Sequence, residues 1–204
     1  MVFKYHSTTP DWLYHRAKLN VDQLPVIQKE LLKLFLFTKK DVLVTYTSTF
    51  VEIGYQQLMQ DTCPTLMQEL KHLEIYDRFF VISFISVEAT QEFPPHVDVG
   101  VNIALNIPLI NCEGTYTVWY DGQLKNKGLP DYAIGSEIAK ISRVADPRSV
   151  KEIDRCDASI PHWINVNILH RPETHHEKLR VAASVRFNPE PLDSAGNLWP
   201  HLIS

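Results

Sequence analysis

The apolar positions of this chain follow two different periods. Within residues 21–37, Leu24, Ile27, Leu31, Leu34 and Phe35 recur every three or four positions. That spacing lines one side of a helical turn and predicts an amphipathic helix. A second helix is expected from Asp61 or Thr62 through Leu66, Leu70 and Leu73, with Pro64 in its first turn, where a missing N–H costs nothing. From Phe79 onward the period shortens. Residues 79–87 are rich in β-branched and aromatic side chains and read as a strand. Further strands are expected at 101–109, 115–120, 136–144, 150–153, 160–169 and 179–187. A polar turn at 111–114, loops at 121–130 and 170–178, and an irregular tail from 189 separate or follow them.

Helices first and many short strands afterwards predict a mainly β fold with supporting α-helices, a sandwich or barrel with the helices on one face. The expected organisation is a single domain over 1–204: supporting helices to 77, a β core over 78–188, and the tail. A chain of 204 residues can bury a core without metal or disulfide staples. Its three cysteines, Cys63, Cys112 and Cys156, are far apart and form no CxxC pair. A reducing, cytoplasmic setting is therefore expected, with each thiol a small buried apolar group. No apolar stretch is long enough for a membrane span. The net charge of −4 gives no reason to favour a nucleic-acid partner, although it does not exclude a local basic groove.

Candidate chemistry begins at Pro94-Pro95-His96-Val97-Asp98. Residues two apart on an extended segment face the same side, so His96 and Asp98 can offer an imidazole and a carboxylate to one ion. His162, at the start of a later strand, is the expected third ligand, with His170 as its substitute. Two histidines and one carboxylate form a facial triad that leaves open positions on a non-haem Fe(II). Downstream, Arg180, Ala182, Ser184 and Arg186 share one strand face. Two arginines on a face otherwise lined by small residues suit a pocket for a dianion, because guanidinium grips carboxylate in a fork. An exposed face would carry the same pattern. Asn102 and Asn106 share the parity of the His96 strand, and Asn106 is a candidate for bonding a cosubstrate. Tyr116 and Tyr120 are candidates to close the pocket, and Trp119 and Trp163 read as core or pocket wall.

In order and type, His96-x-Asp98, then His162, then Arg180 resembles the Fe(II)/2-oxoglutarate-dependent dioxygenases. The pair Arg180-x5-Arg186 is similar to that of AlkB-type members. The resemblance covers about Val81 to Phe187 and implies a double-stranded β-helix that binds Fe(II) and 2-oxoglutarate. It implies that one arginine clamps the distal carboxylate while the other sits near the metal; Ser184 is a candidate to bond a carboxylate beside them. A hairpin symmetric about Thr174 would set His162 opposite Arg186, so the division of labour between the arginines stays open. Hydroxylation of a small-molecule or peptidyl substrate by O₂ is the implied reaction, and a nucleic-acid substrate is not favoured. Two other readings remain: a cupin-like metalloenzyme that does not use 2-oxoglutarate, and a metal-free jelly-roll binding or structural module.

Overall fold

The computed structural model describes residues 10–38, 46–52, 56–87, 94–98, 101–125, 143–174 and 178–204. Its elements are β1 (Tyr14–Arg16), α1 (Leu24–Thr38), β2 (Tyr46–Glu52), α2 (Gln56–Thr62), α3 (Pro64–His72), β3 (Phe79–Val87), β4 (His96–Val97) and β5 (Ile103–Ile110). There follow β6 (Thr115–Asp121), β7 (Leu124–Lys125), β8 (Arg143–Ala145), β9 (Lys151–Asp157), β10 (His162–Asn165), β11 (His170–Thr174) and β12 (Arg180–Phe187).

The strands form two six-stranded antiparallel sheets, ordered β1-β10-β5-β12-β3-β2 and β7-β8-β4-β11-β6-β9. From β3 to β6, successive strands alternate between the first (major) and second (minor) sheet, and they alternate again from β9 to β12. Winding to and fro between two faces makes the core a double-stranded β-helix, as the sequence predicts. Consequently the last strands enter the middle of the sheets: β11 lies between β4 and β6, and β12 between β5 and β3.

The helices cover the outer face of the major sheet. Ile27, Leu31, Leu34 and Phe35 of α1 are all buried, in one cluster with Leu66 and Leu70 of α3 and the helix-facing side chains Leu105, Ile107, Val181, Ala183 and Val185. Phe35 tilts against Phe84 with ring centroids 5.4 Å apart. The start of α3 has no capping side chain of its own. Instead the Glu30 carboxylate reaches over from α1 and accepts the Thr65 N–H at 3.1 Å and the Thr65 hydroxyl at 2.6 Å, satisfying donors that a helix start leaves open.

Three expectations need correction. The apolar run 160–169 is not one strand: β10 ends at Asn165, and 166–169 is a crossover to the other sheet with Val166 and Leu169 buried. Most of the expected loop 170–178 is strand β11. β10 pairs with β5 rather than β12, so no hairpin joins His162 to the arginine strand. The tail is irregular, as expected, yet it is packed down: Glu190, Leu192, Leu198 and Leu202 are buried, and Arg78 stacks on Trp199 at 4.3 Å. Besides its helices, the N-terminal region supplies β1 and β2, which widen the major sheet. The expected loop 121–130 contains β7, and its last five residues lie outside the described residues, as does most of the strand expected at 136–144. No described helix is long and apolar enough to cross a membrane.

Candidate metal centre

His96 and Val97 form the two-residue strand β4, and His170 opens β11 directly opposite His96 in the antiparallel ladder. Side chains opposite one another in a ladder stand on the same face, and the two imidazoles lie with centroids 4.6 Å apart. Asp98 follows, its backbone N–H donating to Val166 O at 2.9 Å. One ligand atom from each of His96, Asp98 and His170 lies within 4.8 Å of the others, a cluster able to hold a metal ion.

The tautomers follow from the backbone. His96 Nδ1 lies 3.2 Å from Pro94 O, and His170 Nδ1 lies 2.9 Å from Ile168 O. A carbonyl only accepts, so each Nδ1 carries the hydrogen and each Nε2 is the nitrogen with a lone pair to offer. His96 Nε2 stands 3.5 Å from Asp98 Oδ1. Burial, and then the neighbouring His170, push the His96 imidazolium down to about 3. Burial likewise lowers His170. Burial alone would raise the Asp98 carboxyl, but the Arg186 guanidinium, together with His96 and His170, offsets it and holds the group at about 2. Two neutral imidazoles and a carboxylate therefore turn electron-rich atoms on one another. A cation between them resolves that conflict, and the donor set fits a divalent ion of the Fe(II) type, with three protein ligands and further positions open.

The candidate cluster differs from the expected ligand set at one position: among the described residues His170, not His162, joins His96 and Asp98. His162 sits on the major sheet opposite Asn106. Its Nδ1 donates to Ile160 O at 2.7 Å, and its Nε2 lies 3.5 Å from Thr117 Oγ of the minor sheet. Burial first, and the charge of Arg180 further, lower its imidazolium to about 4.

The two arginines of β12 mark opposite ends of the space between the sheets. Arg186 Nη2 binds Asp98 Oδ2 at 2.6 Å, so it stands at the metal end. Arg180 is only 2% exposed, and its charge acts on His162 and Cys156. Between them runs a buried polar row across the major sheet: His162, Asn106, Ser184 and Ser83, each opposite the next in register. Among the described residues, Ser184 Oγ and Asn106 Oδ1 have no hydrogen-bond partner. Groups of that kind are costly to bury unless a ligand or water meets them.

The softer expectations divide, the tryptophans falling where expected and the tyrosines not. Tyr120 bonds Glu173 on the outer face of the minor sheet, and Tyr116 shares that face, with Arg155 stacked on it at 5.1 Å, so neither tyrosine closes the interior. Trp119 is interior wall, its indole N–H donating to Asn165 O at 3.1 Å, while Trp163 belongs to the helix-side core. Asn102 is bound to Glu190. His175 and His176 lie outside the described residues.

No protein-family model matches the chain, and no curated protein matches it. Solved structures that it resembles include AviO1 from Streptomyces viridochromogenes Tue57, at 15% identity and a TM-score of 0.48, covering 92% of this chain and 93% of that one. SnoK, a non-heme alpha ketoglutarate dependent carbocyclase from nogalamycin biosynthesis, is similar at 10% identity and a TM-score of 0.46, over 86% of this chain and 78% of that one. SnoN, a non-heme alpha ketoglutarate dependent epimerase from nogalamycin biosynthesis, is similar at 13% identity and a TM-score of 0.44, over 86% and 77%.

Proposed function

We propose that the protein is a non-haem Fe(II) and 2-oxoglutarate-dependent oxygenase whose metal ligands are His96, Asp98 and His170. The observation that carries this reading is the convergence of two Nδ1-protonated imidazoles and an ionised carboxylate within 4.8 Å. With both groups bound, iron and 2-oxoglutarate would supply an O₂-driven oxidation of a positioned substrate bond, yielding succinate and CO₂.

The chain's own residues bind and orient. Arg180, buried at the far end of β12, supplies the cation for the distal carboxylate of 2-oxoglutarate. Ser184 and Asn106 offer the open hydrogen-bonding atoms between that end and the metal. Arg186 keeps Asp98 ionised and turned toward the histidines. His162 and Thr117 line the Arg180 end, which gives His162 a place in cosubstrate binding in place of the ligand role expected of it. Hydroxylation of a small-molecule or peptidyl substrate remains the reaction we favour.

The test is an anaerobic titration of the Fe(II)-loaded protein with 2-oxoglutarate, watching for a visible charge-transfer band. His170→Ala should abolish the band. His162→Ala should keep it but require more 2-oxoglutarate. Iron binding without a band would favour a metalloenzyme that does not use 2-oxoglutarate. A protein that binds no divalent metal would leave the cluster as a polar core feature and end the oxygenase reading.

A further inference from the structure

Two of the three donors depend on one short piece of backbone, the crossover 166–169. Val166 O accepts the Asp98 N–H at 2.9 Å, and Ile168 O accepts the His170 Nδ1–H at 2.9 Å. A shift of this crossover would therefore turn the carboxylate and one imidazole together. Hydrogen bonds that Asn102 accepts hold it in place. The Asn102 carbonyl accepts the Val166 N–H at 2.8 Å, and Asn102 Oδ1 accepts from Asn167 Nδ2 at 3.2 Å. Asn102 is itself gripped by the Glu190 carboxylate from the tail. Oε1 accepts the Asn102 N–H and, at 3.0 Å, the Ile103 N–H, while Oε2 accepts Asn102 Nδ2–H at 2.7 Å. Glu190 is 6% exposed, and burying a carboxylate is expensive unless several donors meet it.

We infer that Glu190 is a positioning residue for the metal centre, acting through Asn102 and the 166–169 crossover on Asp98 and His170. The inference rests on reading His96, Asp98 and His170 as a metal site. The relay is polarised along its length: Glu190 accepts, Asn102 donates to it with its amide nitrogen and accepts from Asn167 with its amide oxygen. Glu190→Gln places a donor against the Asn102 donor. Rotating the Asn102 amide relieves that clash but sets its nitrogen against Asn167 Nδ2, so the mismatch moves toward the metal rather than disappearing. Asn102→Asp in the same protein accepts from both sides and keeps the total charge unchanged.

Co(II) is the probe, titrated into the metal-free protein and followed by its visible d–d spectrum, alongside the melting temperature of each metal-free variant. Wild type should bind and His170→Ala should not; if wild type fails to bind, it is the metal reading that falls. Glu190→Gln should weaken Co(II) binding by about 10-fold or more, the usual scale for a residue behind a ligand, and should alter the spectrum. The double variant Glu190→Gln/Asn102→Asp should recover both. Asn167→Ala, at a half-buried position, should weaken binding with little change in melting temperature, and it keeps the test open if Glu190→Gln alone does not fold. Wild-type affinity and spectrum in Glu190→Gln would overturn the inference, as would a lower melting temperature with unchanged Co(II) binding, or a double variant no better than the single one.

Discussion

Replacing Arg186 with methionine separates the cost of an unpaired carboxylate from the contribution of a metal. Methionine keeps most of the length of the side chain and removes its charge. Asp98 and Arg186 are 15% and 13% exposed at the side chain, so the pair is screened little by solvent. The Asp98 carboxyl is held at about 2 instead of 3.8, a displacement that corresponds to about 2.5 kcal/mol at roughly 1.36 kcal/mol per tenfold. Burial opposes that displacement, while His96 and His170 share it with Arg186, so the figure sets only the scale of the pair. About 3 kcal/mol is reasonable, at the lower end for breaking one side of a buried pair. For a domain of this size that is a fall of about 6–12 °C in melting temperature for the metal-free protein at pH 7. A bound divalent cation supplies the missing positive charge, so with saturating Co(II) the gap between wild type and Arg186→Met should shrink to half or less. Differential scanning calorimetry with and without Co(II) measures both. An equal fall in the two states would refute the idea that ion and guanidinium share one carboxylate, and a fall below about 2 °C would refute the estimate of its worth.

Three further outcomes follow from the described contacts. His162 is lowered from 6.5 to about 4, so between those values the unfolded chain takes up a proton that the native protein refuses; stability present above pH 6.5 is lost as pH falls toward 4. His162→Gln should flatten urea-derived stability against pH in that window by about 1 kcal/mol per pH unit, and an unchanged slope would count against it. Burial pushes the Cys63 and Cys156 thiols up to about 12, so both should resist a thiol reagent at pH 7.5 until urea unfolds the chain; rapid labelling of either in the native protein would contradict their placement. Glu30→Ala strips the borrowed cap from α3 and should destabilise the protein by about 1–2 kcal/mol in a urea titration, with no effect on Co(II) affinity; a loss of that affinity would mean that the helix layer and the site are coupled.

Much of the architecture is legible because the strongest signals are local. Ile27, Leu31, Leu34 and Phe35 mark α1 by spacing alone, and the bounds of β3 match the expected run of residues 79–87. The short strands β1, β4 and β7 carry too few residues to show a period. The third ligand escapes the sequence for a more specific reason. Ile160-Pro161-His162 and Ile168-Leu169-His170 present the same local motif, and in both the carbonyl two residues earlier fixes the Nδ1 hydrogen. What separates them is the sheet each histidine joins, which is a long-range property. The break between them is masked because the crossover is itself partly buried: Val166 and Leu169 keep the apolar run continuous. Asn165 and Asn167 are the visible hint, two amides in a largely apolar stretch: one braces the Pro10 backbone and the other binds the Asn102 side chain. Glu190 gives no signal, because a tail rich in proline reads as surface.

Strand order also governs how this protein must fold. Until residues 160–187 arrive, β5 and β3 face a gap in one sheet, and β4 and β6 face a gap in the other. A partly synthesised or refolding chain thus exposes several unpaired edges, the form most exposed to aggregation. The pairings that close the gaps are distant in sequence and correspondingly slow. Because His170 sits on one of the two inserting strands, Co(II) capture in a refolding experiment should lag behind the formation of helix, making metal uptake a clock for the last step of assembly.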